Sequence, residues 1–109
     1  MFDFDFNPEE KELTCTFKGR MDTIVSAQLM AELDSKYISL SENVDKDAPL
    51  EFGIVFDLKE VNFISSSFIR LCVGAKKRVK DGRFSIRNSD PFIKKTFKIA
   101  GLDDILNVI

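Results

Sequence analysis

Apolar and polar residues alternate twice near the start of the chain and then give way to a longer period. Phe2, Phe4 and Phe6 alternate with Asp3, Asp5 and Asn7, and Leu13, Cys15 and Phe17 alternate with Thr14, Thr16 and Lys18. A period of two places successive side chains on opposite faces of an extended chain, so two half-buried strands are predicted. Asn7-Pro8-Glu9-Glu10 carries turn chemistry between them, which makes an N-terminal hairpin that ends at Gly19. From Asp22 the spacing becomes helical. Asp22 or Thr23 can cap, and Val25, Leu29, Leu33, Tyr37 and Leu40 form one stripe.

Ser41 to Pro49 is polar, with Asp45 and Asp47 flanking Lys46, and reads as an exposed connection. The stretch from Phe52 to Leu58 is almost continuously apolar, which predicts a central strand buried on both faces and helices covering both sides of part of the sheet. It leads through Val61-Asn62-Phe63-Ile64 into Ser65-Ser66-Ser67. A second helix follows, with Phe68, Leu71, Cys72, Ala75 and Val79 on its apolar side, ending at Asp81-Gly82. Phe84 and Ile86 resume the strand period. Asp90-Pro91 opens a third helix with Ile93, Phe97 and Ala100 inward, Gly101 interrupts it, and Leu102 to Leu106 forms a last short turn. The order β-β-α-β-α-β-α predicts an α/β fold, a mixed sheet packed by helices, in a single domain spanning residues 1–109.

Composition narrows the chemistry. A chain of 109 residues has room for one core, and a net charge of -2 gives no general attraction to nucleic acid or to an anionic membrane. The basic run Lys76, Lys77, Arg78, Lys80 is accounted for by compensation of a helix C-terminus. Cys15 and Cys72 fall on apolar positions and read as reduced core residues, with a disulfide between them left open. No metal or cofactor is expected. The chain has no His, so a serine nucleophile would lack its usual base, and no Gly-rich phosphate loop is present; the protein is expected not to be an enzyme. The N-terminus has no targeting pattern and no segment is long enough for membrane insertion, which points to the cytoplasm.

The stretch from Gly53 to Asn88, an apolar strand, three serines, a helix and a second strand, resembles the signature region of STAS domains, the family of anti-sigma factor antagonists. Gly19-Arg20-Met21-Asp22 is similar to the family's Gly-x-Leu-Asp step into the first helix, and Val55-Phe56-Asp57-Leu58 to its central strand. Pro91 to Phe97 and Gly101-Leu102-Asp103-Asp104 resemble its closing helix and the Gly-Leu beyond. The resemblance implies a STAS-like domain over nearly the whole chain. It also implies a regulatory module that binds a protein partner, an anti-sigma factor or serine kinase, with ATP belonging to that partner.

The family motif Asp-Ser-Ser-Gly aligns with Ser65, Ser66, Ser67 and Phe68, so the two serines match while Ser65 replaces the Asp and Phe68 the Gly. Arg70 stands where a second Gly often occurs. Resemblance thus puts the phosphorylation candidate at Ser67, with Ser66 beside it, and partner binding at Asp22, Thr23, Ser65, Ser66, Ser67, Phe68 and Arg70. Capping of the helix by Ser65 explains the triplet without any function. Phe68 is either a core residue or an exposed anchor. The alternative to an antagonist is an unphosphorylated STAS-like structural or regulatory subunit of a larger assembly, transporter-associated or homo-oligomeric, that uses Phe68 as its anchor. Self-association into a homodimer is left open.

Overall fold

The computed structural model describes residues 2–41 and 48–109. The alternating N-terminus forms the hairpin: β1 (Phe2–Asn7) pairs antiparallel with β2 (Glu12–Met21), Phe4 opposite Cys15 and Phe6 opposite Leu13. Asn7 closes the turn by accepting from the amides of Glu9 and Glu10 at 3.0 and 3.1 Å. Then come α1 (Thr23–Leu40), β3 (Gly53–Ile64), α2 (Ser66–Lys77), β4 (Phe84–Arg87) and α3 (Pro91–Ile99). The sheet order is β1-β2-β3-β4, with β3 parallel to both β2 and β4. This is the mixed sheet and element order that the periodicity predicts.

The core is one-sided, which corrects the expectation of helices on both faces. Leu13, Cys15 and Phe17 of β2 and Ile54, Phe56 and Leu58 of β3 share a single cluster with the buried residues of all three helices. Thr14, Val55 and Ser85 are paired across the sheet on the opposite face, and none of them joins that cluster. Val55 is nevertheless buried, as is Ser85 beside it. An apolar run can therefore mark a central strand without a second layer of helices above it.

Phe17, Phe56 and Phe68 meet at centroid distances of 5.1 to 6.3 Å, two of the three contacts edge-on, and Phe84 adds a further edge-on contact to Phe56. Edge-to-face packing lets several large rings fill a small core without a tryptophan. Cys15 and Cys72 are both buried and free. Burial pushes each thiol well above its ordinary range.

Several boundaries shift for local reasons. β3 runs to Ile64 because two register shifts against β2, between Thr16 and Lys18 and between Gly19 and Arg20, absorb extra β3 residues. Bulges of this kind move the inward positions to Leu58, Val61 and Ile64, a spacing of three that a strict alternation misses. α2 stops at Lys77, so Val79 is buried from beyond the helix, next to Arg78 whose carbonyl accepts from the Leu50 amide at 2.8 Å. Ala100 is the exposed C-cap of α3 and not part of its inward face. After the final turn Asn107 adopts φ 50° and redirects the chain, so that Val108 forms a parallel bridge with Ile86. The polar connection expected from Ser41 to Pro49 lies, over residues 42–47, outside the described residues.

Candidate partner-binding site

Parallel pairing puts the C-terminal ends of β2 and β3 side by side, and one residue separates each strand from its helix. Those residues are the caps. Asp22 Oδ1 accepts from the Val25 amide at 2.9 Å, and Ser65 Oγ accepts from the Phe68 amide at 3.2 Å. Both have extended backbone, the geometry of an N-cap whose side chain satisfies an otherwise orphaned amide. The Ser65 amide in turn donates to the Met21 carbonyl at 2.9 Å, tying the two helix starts together.

Thr23 and Ser66 open the first turns, both exposed. Ser67 is half-buried between the helices: its hydroxyl donates to Thr23 Oγ1 at 3.4 Å and accepts from Arg70 Nη2 at 3.3 Å. The fold therefore gathers Asp22, Thr23, Ser65, Ser66, Ser67 and Arg70 into one patch. Phe68 is the exception. It is 0% exposed, with its ring 5.8 Å from Phe17, so it holds the start of α2 onto the sheet and cannot serve as a surface anchor. The large residue in the motif's Gly position points into the core and leaves the outer surface unobstructed.

Two neighbours of the patch escape motif matching. Ile24 is 72% exposed on the first turn of α1, adjacent in sequence to Thr23. Its signal was legible, since it falls outside the stripe of Val25, Leu29, Leu33 and Tyr37 and so has no core to enter. The Arg20 guanidinium lies 4.1 Å from the centroid of Phe63, a cation–π contact at the ends of the paired strands that sequence spacing does not reveal. Arg20, Arg70 and the two helix N-termini place positive charge at this end of the molecule, with the Asp22 carboxylate as its counterpart at the start of α1. With no His in the chain, the hydroxyls have no imidazole to activate them, and among the described residues no cluster of metal-ligating side chains occurs. No helix of the described residues is long and apolar enough to cross a membrane.

The anti-sigma factor antagonist SpoIIAA, in its unphosphorylated form, has the same fold. It gives a TM-score of 0.65 at 17% identity, covering 91% of this chain and 83% of its own. An anti-sigma factor antagonist from Mycobacterium paratuberculosis gives 0.72 at 14% identity, with 99% and 85% covered. At such identities the likeness is one of fold. No curated protein matches the chain in sequence. The sequence profile described as STAS domain matches residues 7–109, a span that holds both capped helix starts and every core element after the first strand. The chain belongs to the STAS domain family.

Proposed function

We propose that this protein is a non-enzymatic regulatory module of the anti-sigma factor antagonist kind. It docks a protein partner, an anti-sigma factor or serine kinase, on the paired starts of α1 and α2. Phosphorylation of Ser67 switches the contact, with Ser66 as the neighbouring acceptor. The observation that carries this reading is the position of Ser67 Oγ, between Thr23 of α1 and Arg70 of α2. A phosphate there adds roughly two negative charges at a helix N-terminus, where backbone amides and Arg70 tolerate them, so the domain stays folded. The same charges in a close interface oppose a partner fitted to the neutral surface by several kcal/mol, roughly a hundredfold or more in affinity.

Phosphosite mapping by mass spectrometry on protein from its native cells, growing and stressed, with phosphatases inhibited, tests the switch. A condition-dependent phosphate on Ser67 that disappears in Ser67→Ala is the expected result. Complete absence of phosphate under every condition would reduce the serines to a helix cap and leave a constitutive binding module. The version of that module anchored by Phe68 has lost its anchor to the core.

A further inference from the structure

Further along α1 and α2, a groove of about 170 Å³ remains open between the helices, lined by Leu33 and Tyr37 on one wall and Leu71, Gly74 and Ala75 on the other. Gly74 is in the interior of α2, where glycine weakens a helix relative to alanine. Its backbone is not left-handed, and a Cβ built there would meet no heavy atom within 4 Å. Neither conformation nor close packing asks for glycine. What the missing side chain provides is room in the groove.

The polar groups in this groove are also unspent. Tyr37 is 3% exposed, and its hydroxyl is buried with no hydrogen-bond partner among the described residues. Such a group is costly unless something satisfies it. Burial keeps the phenol protonated, so the hydroxyl is a donor in search of an acceptor. The Arg78 guanidinium lies 5.0 Å from the Tyr37 ring centroid and forms no ion pair among the described residues.

We propose that the groove binds a small monocarboxylate with an apolar body. Its carboxylate accepts from Arg78 and from the Tyr37 hydroxyl, and its body lies over Gly74 against Leu33, Leu71 and Ala75. A cavity of about 150 Å³ holds one benzene ring, so the body is an aromatic ring or a short alkyl chain. Asp34, which also lines the groove, repels anionic ligands, so Arg78 has to offset it for one carboxylate and a second is excluded.

Titration of the 15N-labelled protein with benzoate and with octanoate, followed by amide chemical shifts, tests this. At least one of them should give saturable shifts at Leu33, Gly74 and Ala75. Gly74→Leu fills the groove and favours the helix, and should weaken binding about tenfold or more without lowering the melting temperature. Tyr37→Phe and Arg78→Met should each weaken carboxylate binding about threefold to tenfold while leaving the binding of neutral benzyl alcohol unchanged. Absence of saturable shifts with both carboxylates, or undiminished binding by Gly74→Leu, would overturn the site. Benzyl alcohol binding as tightly as benzoate would overturn its assignment to carboxylates.

Discussion

The starts of α1 and α2 are built alike and furnished differently. Both follow a parallel strand, and both are capped by a side-chain oxygen that accepts from the amide three residues on. Aligned by their caps, Asp22 stands against Ser65, Thr23 against Ser66, Ile24 against Ser67, and Val25 against Phe68. α1 thus already has a carboxylate at its positive end and presents an apolar residue outward. α2 has only hydroxyls there, holds Ser67 half-buried against α1 and sinks a phenylalanine beneath it. One helix start has its negative charge by sequence; the other has none.

The largest effect should separate the inward residues. Phe68→Ala removes a fully buried ring and should cost about 3–5 kcal/mol, whereas Val25→Ala, at a half-buried site, should cost about 1 kcal/mol. Urea denaturation checks both, and equal losses would mean that the two turns are anchored alike.

Next comes alkaline pH, where the interior should behave alike on both sides. Cys15 lies in β2 and Cys72 in α2, and burial pushes both thiols above the ordinary value of 9.0. Above that value the unfolded chain releases thiol protons that the folded chain retains, so stability, complete below it, falls as pH rises. Tyr37 joins above its ordinary value of 10.0, its phenol raised mainly by burial. Each group should cost up to about 1.4 kcal/mol per pH unit once the pH has passed its own ordinary value, measured by denaturation between roughly pH 8 and pH 10.5. Cys72→Ala should flatten part of the slope, and an unchanged slope would show that its thiol reaches water.

The smallest effects bear on the caps themselves. Asp22→Ala and Ser65→Ala should each cost about 1 kcal/mol, and only the Asp22 loss should shrink with added salt. Ser65→Asp, which gives α2 the carboxylate that α1 already has, should gain from a few tenths to about 1 kcal/mol. A loss instead would show that the start of α2 does not accept negative charge, and would count against phosphate at Ser67.

Most of the architecture was legible because periods of two and of three to four survive in this chain almost without interruption. The sequence offers Asp22 or Thr23, Ser65 and Asp90 at the three helix starts; Asp22, Ser65 and Asp90 each accept from the amide three residues later. What escaped depended on partners distant in sequence. The bulges of β3 are defined against β2, and the bridge of Val108 against Ile86. For the site, the motif located Ser66 and Ser67 but was silent on the direction of Phe68, which only the aromatic cluster decides. Ile24 stands legibly outside the core stripe of α1, but its place beside the serines depends on the pairing of β2 with β3.

The bond from the Ser65 amide to the Met21 carbonyl has a consequence for the birth of the molecule. Its two ends come from separate strands whose parallel pairing is a slow, non-local step of folding. The two starts cannot come together before that pairing is complete. The paired helix starts are therefore all-or-none: Asp22 and Ser65 stand side by side only in copies whose β2–β3 pairing is complete.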